Sequence, residues 1–350
     1  MKHFFLIACL ASATSTTSFA QEILILGGGG DLHSVDINSG DATFLGAAGL
    51  TPHFWSGMAM NSSGQIFASY GRYFSEYEIY EINPTNGQAT FVSQTNLFGL
   101  AALAFDDNDV LYGLNDRTAP QGTRPMDLYT IDLQTGASTL IGDTGITNSL
   151  AMDFHDGSLW CFNPTAGLHQ LNQTTGIATD VNPSFRGPIG ATASMCFNDI
   201  GTLYHLDGGV WMVDQESGTF SLVNELTPFG FWAEAVFLAG PNPPFSVWLS
   251  GRGGDLVKIK CAGASPLGKV ALAIAGGSGG PTNIPPGFLC SGIAMNLKAN
   301  MRPIRSTTAD FNGEAEFGPA FLPAGAVGLL HVQAIDLGTC KTSNQVALYF

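Results

Sequence analysis

Charge is scarce in this sequence, and positive charge scarcest. Asp, Glu, Lys and Arg make up 12 % of 350 residues, with 13 Lys and Arg against 28 Asp and Glu. A net charge of −15 argues against nucleic acid and anionic lipid as partners, because both require a basic footprint. Long apolar runs are missing too, and no stretch approaches the roughly 20 residues of a spanning helix. No segment of ten or more residues carries the three-to-four-residue apolar period of an amphipathic helix. Metal-site spacing is also absent. No two cysteines sit two to four residues apart, and seven histidines are scattered without an H-E-x-x-H pattern.

What is present in quantity is glycine, at 44 residues, with 18 prolines. That balance suits short strands joined by tight turns. The first residues, "MKHFFLIACLASATSTTSFA", combine Lys2, an apolar segment and a small-x-small end at Ser18–Ala20. They read as a secretory signal peptide over 1–20, so the expected location is extracellular, periplasmic or on the cell surface. Charge is unevenly spread: residues 21–260 hold seven Lys and Arg against 24 Asp and Glu, while 261–350 hold five against four.

A repeat organises the first of these two regions. "DLHSVDINSGDATFLG" (31–46) returns as "EIYEINPTNGQATFVS" (78–93), "DLYTIDLQTGASTLIG" (127–142), "GLHQLNQTTGIATDVN" (167–182) and "GVWMVDQESGTFSLVN" (209–224). The turn glycines Gly40, Gly87, Gly136, Gly176 and Gly218 are 47, 49, 40 and 42 residues apart, the period of a four-stranded propeller blade. The Asp or Asn opening each turn can accept backbone N–H groups two or three residues on, and the closing glycine supplies a positive φ. Those acidic residues are therefore explained by the turn, without a metal. A second block precedes each turn, as in "AALAFDDNDVLYGLND" (101–116) and "SLAMDFHDGSLWCFN" (149–163). The array begins without an inner strand and ends, at 233–260, without a clear outer one. The expectation is an all-β chain: a propeller of about six four-stranded blades over 21–260, closed to remove sheet edges, and a small antiparallel β-sandwich over 261–350.

The paired motifs "LAF-x-D-x-x-x-LY" and "LY-x-ID-x-x-TG-x-x-T-x-x-G" resemble secreted bacterial β-propeller proteins, over residues 22–260. The resemblance implies a fold and no particular substrate, since propellers host scaffolds, binding modules and enzymes alike. "AIDLGTCKTSNQVALYF", with "GASPLGKVALAI" upstream, resembles a C-terminal module shared by many secreted bacterial proteins, which implies an accessory role such as attachment, sorting or stability. Within it Cys290–Cys340 is the preferred disulfide, with Cys261 the rival partner.

Several motifs invite chemistry and fail on context. "GGSGG" (276–280) runs into Pro281 instead of a helix, so it is no nucleophile elbow. "LGGGG" (26–30) lacks the Lys-Ser/Thr of a phosphate loop, and "FDDND" (105–109) lacks the glycine and terminal glutamate of a calcium loop. Strand parity offers one better site. If Leu103 and Phe105, Met152 and Phe154, and Met195 and Phe197 pack between blades, the alternate residues should line the central channel. Two carboxylates then face that channel, Asp153 and Glu234, joined at strand ends by Asp106, His155, Asn198 and Asn61. Such a set would take a cation or a polar ligand, with calcium the one cofactor candidate. Blade-loop aromatics in "HFWSG", "GRYFSEY" and "FGFW" offer a sugar- or peptide-stacking surface. The expected function is a non-catalytic binding or scaffold protein for an extracellular glycan, protein or small molecule. The alternatives are a calcium-dependent, lactonase-like channel hydrolase and a lectin-like glycan-binding module.

Overall fold

In the computed structural model, residues 22–347 are described, apart from 38–39, 51–53, 72–74, 117–123, 150, 182–193, 199–200, 227–232, 239–244, 251–255, 277, 288, 299, 312 and 322–330. The proposed signal peptide therefore lies outside the described residues. No helix occurs among them; the described residues form 29 strands.

The turn-and-strand repeat folds as antiparallel sheets. Strands β1 (Glu22–Gly27), β2 (Asp31–Asp36) and β3 (Ala42–Ala47) open the chain. Blade 1 holds β4 (Phe54–Met60), β5 (Ile66–Gly71), β6 (Glu76–Ile82) and β7 (Ala89–Phe98). Blade 2 holds β8 (Leu100–Phe105), β9 (Leu111–Asn115), β10 (Asp127–Ile131) and β11 (Ser138–Asp143). Blade 3 holds β12 (Ala151–His155), β13 (Ser158–Asn163), β14 (Gly167–Leu171) and β15 (Ala178–Asp180). Blade 4 holds β16 (Ser194–Phe197), β17 (Leu203–Leu206), β18 (Gly209–Val213) and β19 (Phe220–Glu225).

β20 (Ala233–Phe237) then pairs with β1, with Leu24 opposite Val236, and supplies the inner strand that β1–β3 lacked. The inner strands β4, β8, β12, β16 and β20 touch in sequence, and β20 returns to β4. The described strands thus make five blades where the repeat suggested about six. The two incomplete ends are halves of one blade, and pairing them leaves no open edge at the seam.

Each blade junction has its own apolar core. Leu24, Leu26 and Val236 meet Trp55, Met58 and Tyr70 at the seam. Leu103 and Phe105 meet Ala59, Phe67 and Ile79 between blades 1 and 2. The turn glycines earn their place twice. At Gly136 φ is +72°, and a Cβ there would stand 1.9 Å from the Gln94 carbonyl oxygen of the preceding blade. A side chain would both strain the turn and wedge the blades apart.

The outer strands depart from strict alternation. Register slips by one residue where Tyr80 faces Phe91, and likewise at His33–Phe44, Tyr129–Leu140 and Trp211–Leu222. Each slip is a bulge that turns the next residue (Leu45, Val92, Ile141 or Val223) back onto an interblade core. Two adjacent apolar residues can therefore share one strand, one packed inward and one on the rim.

After the ring, β21 (Ser246–Ser250) and β22 (Leu256–Ala262) pair with β27 (Ala315–Phe321) rather than with any blade. β23 (Lys269–Ala275), β26 (Arg302–Thr308), β28 (His331–Asp336) and β29 (Lys341–Ala347) form the facing sheet. Val247, Leu249, Val257, Leu272, Val332 and Val346 join in the core between them. A hairpin of β24 (Ser278–Asn283) and β25 (Ala294–Leu297) lies beside it. Cys290 and Cys340 are disulfide-bonded, and Cys261 is a free, buried thiol, as are Cys161 and Cys196. The sandwich joins the propeller in register: Ala347 of β29 lies opposite Leu222 of β19, so blade 4 and the second sheet run on as one.

Candidate functional site

The inner strands refine the channel picture. Ala102 and Ala104, expected to face the channel, are fully buried against Met152 of the next blade. Ala151 likewise packs against Met195 and Phe197. Both faces of an inner strand are covered by neighbouring blades, and what borders the channel is the strand's free hydrogen-bonding edge. Small residues are needed on the trailing face because large ones from the next blade fill it.

Asp153 sits at such an edge. Its Oδ1 accepts its own strand's Phe154 N–H at 2.8 Å, and its Oδ2 accepts the Phe197 N–H of blade 4 at 2.6 Å. Because Asn198 N–H bonds inward to Thr202, the preceding amide of Phe197 points toward the free edge. The carboxylate thereby ties β12 to β16. Burial pushes its pKa up to about 7, outweighing the two amides that favour the charged form. Burial, aided by the Asp153 charge, also holds the Cys196 thiol well above its ordinary range. Glu234 falls on β20 opposite Leu26, and its side chain lies outside the described residues.

The strand-end candidates do not form one group around Asp153; Asn61, Asp106 and Asn198 each hold their own turn. Asn61 Oδ1 accepts from Ser63 N–H at 3.2 Å and Gln65 N–H at 2.9 Å. Asp106 Oδ1 accepts from Asn108 N–H and Val110 N–H, both at 2.9 Å. Asn198 Oδ1 accepts from Thr202 N–H at 2.7 Å. His155 stacks on Phe197 with ring centroids 5.0 Å apart, and its Nε2 crowds Gly201. Among the described residues no three His, Cys, Asp or Glu side chains form a group able to hold a metal ion.

The aromatic segments divide. Trp55 and Tyr77 are buried in blade cores, while Phe54 is exposed. His53, Arg72, Tyr73, Phe74 and 229–232 lie outside the described residues.

A second polar centre lies where blade 4 meets the sandwich. Asp214, the turn acid of its repeat, is 3 % exposed. It accepts from Lys260 Nζ at 2.9 Å, Trp248 Nε1 at 3.2 Å and Ser250 Oγ at 3.0 Å, besides the turn's own Ser217. Lys260 also reaches Glu216 at 2.9 Å. Burial alone would raise the Asp214 pKa, but Ser217 and Lys260 bring it below the usual carboxylate range. A cleft of about 520 Å³ opens beside this pair, lined further by Asp310, Glu314 and Glu316. Sequence reasoning passed over the pair because Asp214 looks like every other turn acid. The available signal was "LVKIK", which carries two of the seven cations found between residues 21 and 260.

The class defined by these sheets is an all-β propeller followed by a β-sandwich. No family model and no curated protein matches the chain. Solved structures do. A chain of a nidogen/laminin complex is 11 % identical, with 94 % of this chain and 96 % of that one covered and a TM-score of 0.42. TolB from Acinetobacter baumannii is 12 % identical over 70 % of this chain and 61 % of its own, at 0.39. A protein of unknown function from Bacteroides thetaiotaomicron is 14 % identical over 69 % and 67 %, at 0.40. Likeness at this level carries no functional argument.

Proposed function

We propose that this chain is an exported, non-catalytic binding or scaffold protein, with a propeller over 22–238 and a sandwich from about 245 that fixes or attaches it outside the cell. The observation that carries this reading is how the candidate ligands are employed. Asn61 and Asn198 spend their side-chain oxygens, and Asp106 its Oδ1, on backbone N–H groups of their own turns, and Asp153 spends both of its oxygens on inner-strand amides. A cation recruited to any of them would have to displace hydrogen bonds that hold a turn or join two blades. Export is supported by the Cys290–Cys340 disulfide, which persists in oxidising compartments.

The second reading, a calcium-dependent channel hydrolase, draws on Asp153, whose carboxyl is poised near neutrality as a general acid or base requires. Calcium titration of the full chain by calorimetry and melting separates the two, with the Asp153→Asn/Glu234→Gln double variant alongside. The binding-protein reading expects no saturable calcium uptake. Uptake that raises the melting temperature, stabilises the fold by about 2.7 kcal/mol at a hundredfold excess over Kd, and disappears in the double variant overturns it.

A further inference from the structure

Four residues after the turn glycine, the outer strands of blades 1, 2, 4 and the seam blade carry Phe91, Leu140, Leu222 and Phe44. The bulge described above stands each of them on the rim. Phe44, Phe91 and Leu140 are 59 %, 55 % and 52 % exposed. Leu222 is half-buried, and among the described residues it is the one of the four with a strand on its outer side, since β29 of the sandwich reaches this position. On the same blade Lys260 of the sandwich brings its ammonium to Asp214 and Glu216. The molecule thus displays what one of these rim positions accepts: an extended strand whose carrier also delivers a cation.

We propose that the rim of blade 1 at Phe91 is a docking site for an extended polypeptide strand bearing apolar and basic side chains, added edge-on to β7. This names a partner class for the binding protein proposed above, yet stands or falls apart from the channel. Blade 1 shares the rim residue and the outermost strand of the occupied position, and carries its acids on β6 where blade 4 has them in the turn. β7 is the outermost strand of its sheet and contains ten residues with neither charge nor proline, the devices that commonly guard an edge. Behind it, β6 carries Glu76, Glu78 and Glu81, which have no Lys or Arg partner among the described residues. Phe91 ends a row of rings that runs out from the core through Trp55, Tyr70 and Tyr80, with the last contact edge-on at 5.7 Å. That row makes the Phe91 platform rigid, so a partner loses little entropy in ordering it. The blade 2 turn covers β7 at Gln94, so the incoming strand pairs along residues 89–93, and main-chain bonds supply affinity while Phe91 and the glutamates select the side chains.

The probe is a fluorescently labelled peptide with the sequence of residues 341–350, the strand that docks in cis plus its continuation, titrated into the full chain by anisotropy. Saturable binding is expected. Phe91→Thr, which keeps strand propensity, should weaken it by tenfold or more, as follows from losing a buried phenylalanine contact. A peptide with Val346→Pro, which lacks a backbone donor, should not bind, and salt should weaken the native peptide. Unchanged melting of the Phe91→Thr variant shows that the fold is intact. Absence of saturable binding up to about millimolar peptide overturns the proposal. So does binding that Phe91→Thr leaves unchanged, which would put the peptide elsewhere, such as at β19. Neither result touches the calcium test.

Discussion

Asp153 should make the propeller less stable as pH rises from about 4 to about 7, against the trend of most carboxylates. Its folded pKa of about 7 exceeds the ordinary aspartate value of 3.8, so between these values the folded chain binds more protons than the unfolded one. Stability therefore falls as pH rises across that window and is level above it. Three pH units at about 1.4 kcal/mol each set an upper limit of roughly 4 kcal/mol. Asp153 keeps partial contact with the channel, and the two amides remain hydrogen-bonded to it, so about half of that is the expected effect. Asp153→Asn removes the charge while keeping shape and one acceptor. Melting both proteins from pH 4 to pH 8 isolates the contribution of this carboxyl, because every other titrating group is common to the pair. The wild type should lose about 2 kcal/mol relative to the variant over this range, a few degrees in melting temperature. A difference that stays flat with pH would show that the carboxyl is solvated from the channel and would refute the interblade account.

Lys260→Met should leave Asp214 buried without its cation and cost about 2–3 kcal/mol, less than a fully enclosed pair because Lys260 is 20 % exposed; calorimetry should then resolve separate propeller and sandwich transitions, and an unchanged single transition would show that the Asp214–Lys260 pair does not couple the two. His205 is fully buried between Phe162 and Phe220, and burial depresses its pKa to about 3. Its folded value lies below its unfolded one, so it contributes stability that is lost as pH falls from about 6.5 toward 3, and His205→Phe should flatten that part of an acid-unfolding curve. Cys290→Ser removes a crosslink spanning 50 residues, worth roughly 4 kcal/mol by chain entropy, and should lower the melting temperature to the value the wild type shows in reductant.

The repeat determined much by itself. Turn glycines spaced 40 to 49 residues apart, each following an Asp or Asn, mark the period of four-stranded blades because glycine takes that φ without strain and a short acceptor closes that turn. The same local chemistry accounts for Asn61, Asp106 and Asn198, whose partners lie within four residues. What needed the tertiary structure involves partners far apart in the chain. The seam blade pairs residues 22–27 with 233–237, so counting repeats alone overstates the ring by counting one blade twice. β21 and β22 looked like a last blade, since strand patterning records only which side of a strand is apolar; their pairing with β27 decided otherwise. Parity likewise distinguishes two faces but cannot say that both are covered, which is why Asp153 turned out to bridge blades at an edge. Asp214 and Asp132 occupy the same place in the repeat, and only the arrival of Lys260 from another sheet makes one of them a buried ion pair. Short-range hydrogen bonds are written in neighbouring residues, whereas burial and charge pairing belong to surfaces that exist only once the chain has closed on itself.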